Sequence, residues 1–250
     1  QAYSFNRFTA FEAIEKTAQA GGKVIEFYPG QTLSKDDPGL KVDHASPDVA
    51  TVISKLQAKL QKHGIKAVNY GVVGIPKDEA GARKVFEFAR KMNLIAVTTE
   101  SADAINTLEK LAREYDIGVA FHNHPGDFSR PDYKVWSPHY IAGLVEGRDP
   151  RLGACADTGH WTRSGIKPVE ALRVLKGRVI SAHLKDLNEF GVRNAHDVPY
   201  GQGKSEVKAV LDELKAQGFK GNLSIEYEHN WDNSLPEITQ CIDFVKAHGK

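Results

Sequence analysis

Asp157, His183 and Glu226 each stand at the end of a short apolar run, in Gly153-Ala154-Cys155-Ala156-Asp157, Val179-Ile180-Ser181-Ala182-His183 and Leu223-Ser224-Ile225-Glu226. Two carboxylates and an imidazole suit one divalent metal ion (Mn, Co, Zn or Mg) without help from thiolates. Any one of them alone could be a satisfied buried polar group. Three at matching positions are different, because each adds a desolvation cost that a purely structural scaffold has no reason to carry. A fourth ligand is wanted, and two residues compete for it. His122 ends the neighbouring run Gly118-Val119-Ala120-Phe121, so adjacency favours it, whereas Glu100 offers the carboxylate that a harder cation prefers.

Side chains two apart on a strand share a face, which extends the set. His124 goes with His122, Lys185 with His183, and Glu228 with Glu226. Lys185 would put a cation near the metal, able to hold a hydroxyl, carboxylate or enolate oxygen. His160, three residues past Asp157 in Asp157-Thr158-Gly159-His160, is expected on the loop after the strand. There it could orient a ligand, touch a sugar hydroxyl, join a second metal or act as a base. Catalytic roles are expected for Glu226, His122, His160 and Lys185, with Glu100 a further candidate base. Substrate contacts are expected for His124, Glu228, Trp161 and Asp186. Trp136, Trp161 and Trp231 all follow strand ends, where indole faces suit sugar C–H groups. Glu26 reads as a buried hydrogen-bonding carboxylate.

These residues need a scaffold that lines up strand ends. Strand-like runs near residues 2–5, 23–28, 65–73, 94–100, 117–122, 152–157, 179–184 and 222–226 alternate with stretches carrying apolar residues at helical spacing. Gly21-Gly22, Gly64, Gly177 and Gly218 fall just past helical runs, where a left-handed cap is wanted. Eight strands alternating with eight helices predict an α/β fold, a (β/α)₈ TIM barrel, in a single domain over residues 1–250. An open doubly wound sheet would want a Gly-rich phosphate turn after its first strand, and Tyr3-Ser4-Phe5-Asn6 offers none.

Composition narrows the partners. With 33 Lys+Arg against 32 Asp+Glu, the 250 residues carry a net charge of +1, which argues against nucleic acid or an acidic membrane surface as partner. No apolar run approaches the roughly 18 residues needed to span a bilayer. Cys155 and Cys241 are too few for a disulfide framework. The sequence starts Gln1-Ala2-Tyr3 without an initiator Met, which fits an exported, periplasmic protein after signal-peptide removal as well as a trimmed cytoplasmic one. Localisation stays open, and so does a homo-oligomer.

On Asp157-Thr158-Gly159-His160, His183-Leu184-Lys185-Asp186, His196-Asp197-Val198-Pro199-Tyr200-Gly201-Gln202-Gly203 and Ser224-Ile225-Glu226-Tyr227-Glu228, the chain resembles the xylose isomerase-like barrel superfamily. That group includes sugar phosphate isomerase/epimerase proteins, ketose 3-epimerases, hydroxypyruvate isomerase, inosose dehydratase and endonuclease IV. The resemblance implies one divalent metal on Asp157, His183 and Glu226 and a small sugar as substrate. In the epimerases two glutamates move a proton on opposite faces of an enediolate, one of them at the position where this chain has His122. That departure draws the chain toward the dehydratase-like branch. A metal-dependent sugar isomerase or epimerase acting through an enediolate remains the leading expectation, as the commoner activity. A lyase or dehydratase acting on a keto-sugar or keto-glycoside by β-elimination is the alternative. A nuclease would need histidines where this chain has Phe27-Tyr28-Pro29 and Asn69-Tyr70-Gly71. A non-catalytic sugar-binding barrel is the reading from another class.

Overall fold

Thr9 opens the first helix with a reciprocal cap. Its hydroxyl accepts from Glu12 N, and the Glu12 carboxylate accepts from Thr9 N, so two otherwise unpaired N–H groups are satisfied. The far end of the second helix is closed by Gly64 at φ 63°, a left-handed turn that costs glycine little. Local signals of this kind cut the chain into nine α-helices and seven strands among the residues that the computed structural model describes, 1–127 and 129–249. The strands are β1 (Val24–Phe27), β2 (Lys66–Tyr70), β3 (Ala96–Thr99), β4 (Gly118–His122), β5 (Leu152–Asp157), β6 (Val179–Leu184) and β7 (Asn222–Ile225). The helices are α1 (Ala10–Gln19), α2 (Val49–His63), α3 (Glu79–Lys91), α4 (Ile105–Tyr115), α5 (Pro138–Val145), α6 (Thr158–Arg163), α7 (Pro168–Val174), α8 (Val207–Ala216) and α9 (Leu235–His248).

All neighbouring strands pair in parallel, in sequence order β1 to β7, and the helices surround them. The result is a TIM barrel that is nearly closed. The expected first strand is the exception. Residues Ala2–Phe5 form a 3₁₀ turn, held by Ser4 N to Gln1 O at 3.1 Å and Asn6 N to Tyr3 O at 3.0 Å. Ser4 bridges to the last strand instead of a ladder: Tyr227 N donates to its hydroxyl at 2.8 Å, and the hydroxyl reaches Ile225 O at 3.4 Å. A four-residue run that satisfies itself by local bonds has fewer groups left for strand pairing.

Apolar packing lies between sheet and helices, with Leu56, Phe86, Leu108, Leu172 and Val210 fully buried on the helix side. The barrel interior is partly polar. Glu26 accepts from Asn222 Nδ2 at 2.7 Å and Asn69 Nδ2 at 3.3 Å, and Asn69 Nδ2 also donates to Thr98 at 2.7 Å. No helix among the described residues is long and apolar enough to cross a membrane.

Candidate metal centre and active site

Strand register delivers the site. Asp157 pairs with His183 across β5 and β6, His122 with Cys155 across β4 and β5, and Leu184 with Ile225 across β6 and β7. His122, Asp157, His183 and Glu226 therefore reach the same end of the barrel. Their candidate ligand atoms all lie within 4.8 Å of one another, and all four residues are buried. Asp157 does two jobs, since its Oδ1 caps α6 by accepting from His160 N at 2.7 Å while Oδ2 points into the cluster. Asn123 clamps the Asp157 backbone through both its amide nitrogen and its oxygen, each at 3.0 Å.

Each His183 ring nitrogen faces a carboxylate. Nε2 meets Glu26 Oε2 at 2.7 Å, and Nδ1 meets Glu226 Oε2 at 3.1 Å. Glu26 is thus the group that orients His183 from behind, as second-layer carboxylates orient ligand imidazoles. Burial works against its ionisation, but the adjoining His183 more than offsets that and brings it down to about 2.

Both ring nitrogens of His122 are buried without a hydrogen bond: Nδ1 stands 3.5 Å from Glu100 Oε1 and Nε2 3.6 Å from Asp157 Oδ2. Asp157 Oδ2 likewise has no directed hydrogen bond, although the Lys185 ammonium lies 2.9 Å from it as an ion pair. Unpaired buried groups of this kind cost free energy. A divalent cation drawn from the N/O-ligated metals would satisfy His122 Nε2 and Asp157 Oδ2, with Nδ1 left toward Glu100, so the residues fit the group.

Glu100 stands apart from the buried four, in a second group with His122 and His124 that could itself hold a metal. Its Oε1 accepts from Tyr133 OH at 2.9 Å, meets His124 Nδ1, and backs the outer nitrogen of His122. Burial disfavours its charge, but the two imidazoles outweigh that and hold it well below the usual carboxylate range. The His122 imidazole is pulled down by burial yet held up at about 9 by Asp157 and Glu100.

That value sets a sign for metal uptake. Below about pH 9 the free site carries a proton on His122 that a cation must displace, so affinity falls as pH falls, about tenfold per unit per proton displaced. Burial opposes a charge on His183, but its carboxylate neighbours hold it well above its usual value, so it would give up a second proton. Chelator competition with Mn²⁺ or Zn²⁺ should therefore give an affinity at least a hundredfold weaker at pH 6.5 than at pH 8.5. A pH-independent affinity would mean that the cation binds elsewhere.

Lys185 is fully buried, with its ammonium 2.9 Å from Asp157, 2.8 Å from Glu226 and 3.1 Å from Glu228. Burial opposes its charge, but these three carboxylates hold it well above the ordinary lysine value. His160 sits on α6, not on a loop, because Asp157 caps a helical turn directly at the strand end. Its Nε2 is 3.3 Å from Lys185 Nζ, and its Nδ1 accepts from Arg163 at 3.0 Å. Burial keeps the imidazole well below its usual value, so it is neutral near pH 7. Arg163 also pairs with Glu228 at 2.9 Å and Asp197 at 3.2 Å. Burial pushes Asp197 up to about 7. Arg163 and Asp197 were not among the expected site residues. The signal for Arg163 was its three-residue spacing from His160, which places both on one face once residues 158–163 are helical.

Gly159 packs α6 directly on β6. An added Cβ would stand 2.5 Å from Lys185 Cβ, so Gly159→Ala should displace the lysine and cost about 1–3 kcal/mol by overpacking. Thermal unfolding of the metal-free variant measures it, and an unchanged midpoint would show that α6 can shift freely.

Two of the expected substrate contacts are packed away from the cavity. Trp161 is 2% exposed and donates from Nε1 to Trp136 O at 3.2 Å, so its ring is part of the wall behind the site. Asp186 is buried and accepts from Gly201 N, Gly203 N and Ser205 N at 2.8–3.0 Å, which ties the 186–205 loop together. His124 and Glu228 do line the cavity of about 250 Å³ above the cluster, with His122, His160, Glu226 and Tyr28.

The sequence profile described as "Xylose isomerase-like TIM barrel" matches residues 97–248. An inosose dehydratase from Clostridium tetani is 32% identical over 145 residues, covering 52% of this chain and 46% of the relative. The chain spans about half the length of the curated relatives it matches. An uncharacterized protein from Parabacteroides distasonis, known from its crystal structure, is 32% identical with a TM-score of 0.76, covering 99% of this chain and 96% of that one. The structure of an IOLI protein with a bound zinc atom shares the fold at 17% identity and a TM-score of 0.68, covering 98% of this chain and 94% of that one.

Proposed function

From a chain that belongs to the xylose isomerase-like TIM barrel family, we propose a metal-dependent enzyme that removes the proton next to the carbonyl of a keto-sugar and expels a β-hydroxyl or alkoxide. His122, Asp157, His183 and Glu226 would hold one divalent ion, whose Lewis acidity supplies the polarisation of a substrate oxygen. The zinc in the IOLI protein supports an N/O-ligated metal here without naming it.

The chain's own groups divide the remaining work. Glu226 is the carboxylate among the four candidate ligands that lines the cavity, and it takes the α-proton. Lys185 keeps that carboxylate ionised and adds positive charge where an enediolate oxygen develops. The proton that Glu226 takes passes on to the departing oxygen, so a β-hydroxyl leaves as water or an alkoxide as an alcohol, and His160, neutral and held at Nδ1 by Arg163, lines the cavity beside it.

The observation that carries the reading is the imidazole of His122 at the end of β4. Proton return to the opposite face of an enediolate needs a second base, and here that position is an imidazole flanked by Asp157 and Glu100. Elimination needs one base that takes the α-proton and passes it to the leaving oxygen, which Glu226 provides. The inosose dehydratase relatives support the same outcome. Isomerisation or epimerisation is the second reading, favoured by Glu228, which lines the cavity beside Glu226 and could serve as another carboxylate base.

The test uses Mn²⁺-loaded protein with ketoses, inososes and 3-keto-glycosides in deuterated water. Elimination yields a product lacking the hydroxyl or alkoxide and absorbing as a conjugated enone. Deuterium appearing in an epimer without loss of oxygen would shift the reading to epimerase. No exchange on any of them would overturn the enediolate chemistry.

A further inference from the structure

Tyr3, Tyr28 and Trp231 come from separate segments of the chain, before β1, just after it and beyond β7, yet their rings meet. Tyr3 stands edge-on to Tyr28, with centroids 5.2 Å apart at 81°, and edge-on to Trp231, at 5.8 Å and 85°. Tyr3 and Tyr28 line the same cavity as His122, His160 and Glu226. Among the described residues, four large apolar or aromatic side chains are markedly exposed: Tyr3 at 39%, Ile95, Phe190 and Val192. Of these, Tyr3 is the one on the cavity wall. A ring left open at a cavity mouth, yet braced edge-to-face by two neighbours, can accept a partner with little loss of rotamer freedom.

Charge and size narrow the partner. The cavity wall carries Glu226 and Glu228 and, among the described residues, no Lys or Arg. The nearby cations already face carboxylates, Lys185 three of them, Arg163 Asp197 and Glu228, and the His122 imidazole Glu100 and Asp157. A phosphate would meet carboxylates instead of a free cation. At about 250 Å³ the cavity lies below the range of sites that enclose a drug-sized ligand, so anything larger than one sugar ring must extend over its mouth.

We propose that Tyr3, braced by Tyr28 and Trp231, forms a subsite for a second, uncharged pyranose ring, so that the substrate is an unphosphorylated glycoside. The apolar C–H face of that ring stacks on Tyr3 while the reacting ring occupies the cavity. This inference rests on the proposed sugar chemistry of the same site.

Calorimetric titration of the Mn²⁺-loaded protein tests it with methyl β-glucoside, cellobiose, laminaribiose, maltose and glucose 6-phosphate. At least one disaccharide should bind about tenfold more tightly than the methyl glucoside, and glucose 6-phosphate should gain nothing. Tyr3→Ala should cut the disaccharide advantage about five- to tenfold, and Tyr3→Phe should keep it. Trp231→Ala, which removes a brace, should cut it as well and serves if Tyr3→Ala fails to fold. A disaccharide advantage that is absent, or that survives both alanine variants, overturns the subsite. So does tightest binding of glucose 6-phosphate. Deuterium exchange on a monosaccharide ketose, run on the same preparation, reports separately on the chemistry. Exchange without a disaccharide preference would overturn the subsite alone, and the preference without exchange the chemistry alone.

Discussion

Glu226→Gln is expected to lower turnover by about a thousandfold while the barrel stays folded, the loss typical of a missing general base. The glutamine keeps the shape of the carboxylate but cannot take a proton. Glu226 is the point where three features coincide. It lines the cavity, its Oε2 lies 3.1 Å from His183 Nδ1, and the same oxygen lies 2.8 Å from the Lys185 ammonium. Burial disfavours its charge, but Lys185 and His183 outweigh that and keep it ionised well below the usual range. Because Glu226 is also a candidate ligand, metal content and turnover must be measured on the same preparation with Mn²⁺ in excess. Wild-type turnover in the variant would remove Glu226 from the chemistry. Loss of turnover only in step with loss of metal would make it a ligand and no more.

The second large effect is on stability. Lys185→Met should destabilise the metal-free protein by about 3–5 kcal/mol, since removing one partner of a buried ion cluster leaves uncompensated charge behind. Asp157 and Glu226 would then share a buried space with no ammonium between them, while the half-buried Glu228 would keep Arg163. For a chain of this size the unfolding midpoint should fall by on the order of 10 °C. The sign with pH follows from the carboxylates. Lys185 lowers the values of Asp157 and Glu226 against the effect of burial. In its absence these groups rise toward protonation, so the deficit should shrink as pH falls. Added Mn²⁺ should recover more stability in the variant than in the wild type, because a cation among those oxygens replaces the missing charge. Scanning calorimetry at pH 8 and pH 5, with and without Mn²⁺, measures all three effects. An unchanged midpoint at pH 8 would mean that the cluster does not depend on the lysine.

What could be read from the chain was whatever repeats with a local period. Strand-like and helical runs alternate over nearly the whole length, and the ends of those runs carried His122, Asp157, His183 and Glu226. A two-residue period put His124, Lys185 and Glu228 beside them. The structure places all seven at one end of the barrel, since parallel pairing in sequence order leaves their strand ends level. What could not be read depended on partners distant in sequence or on how turns close. Glu26 looked like a buried carboxylate, but its role in aligning His183 spans 157 residues. Trp161 and Asp186 followed strand ends, as substrate contacts would. Packing turned one into the wall and made the other the acceptor for three loop amides.

Residues 2–5 and His160 show the limit from the other side. A four-residue apolar run is short enough for either conformation, and Ser4 settled it by bonding to the last strand. Asp157 turned the residues after β5 into a helix because a carboxylate at that point can accept from the amide three residues on. The sequence by itself determined the residue types, their period along each strand and hence which chemistry could be assembled. Only the tertiary structure decided that His122 rather than Glu100 joins the buried four, because that choice depends on which side chain lies nearest across paired strands.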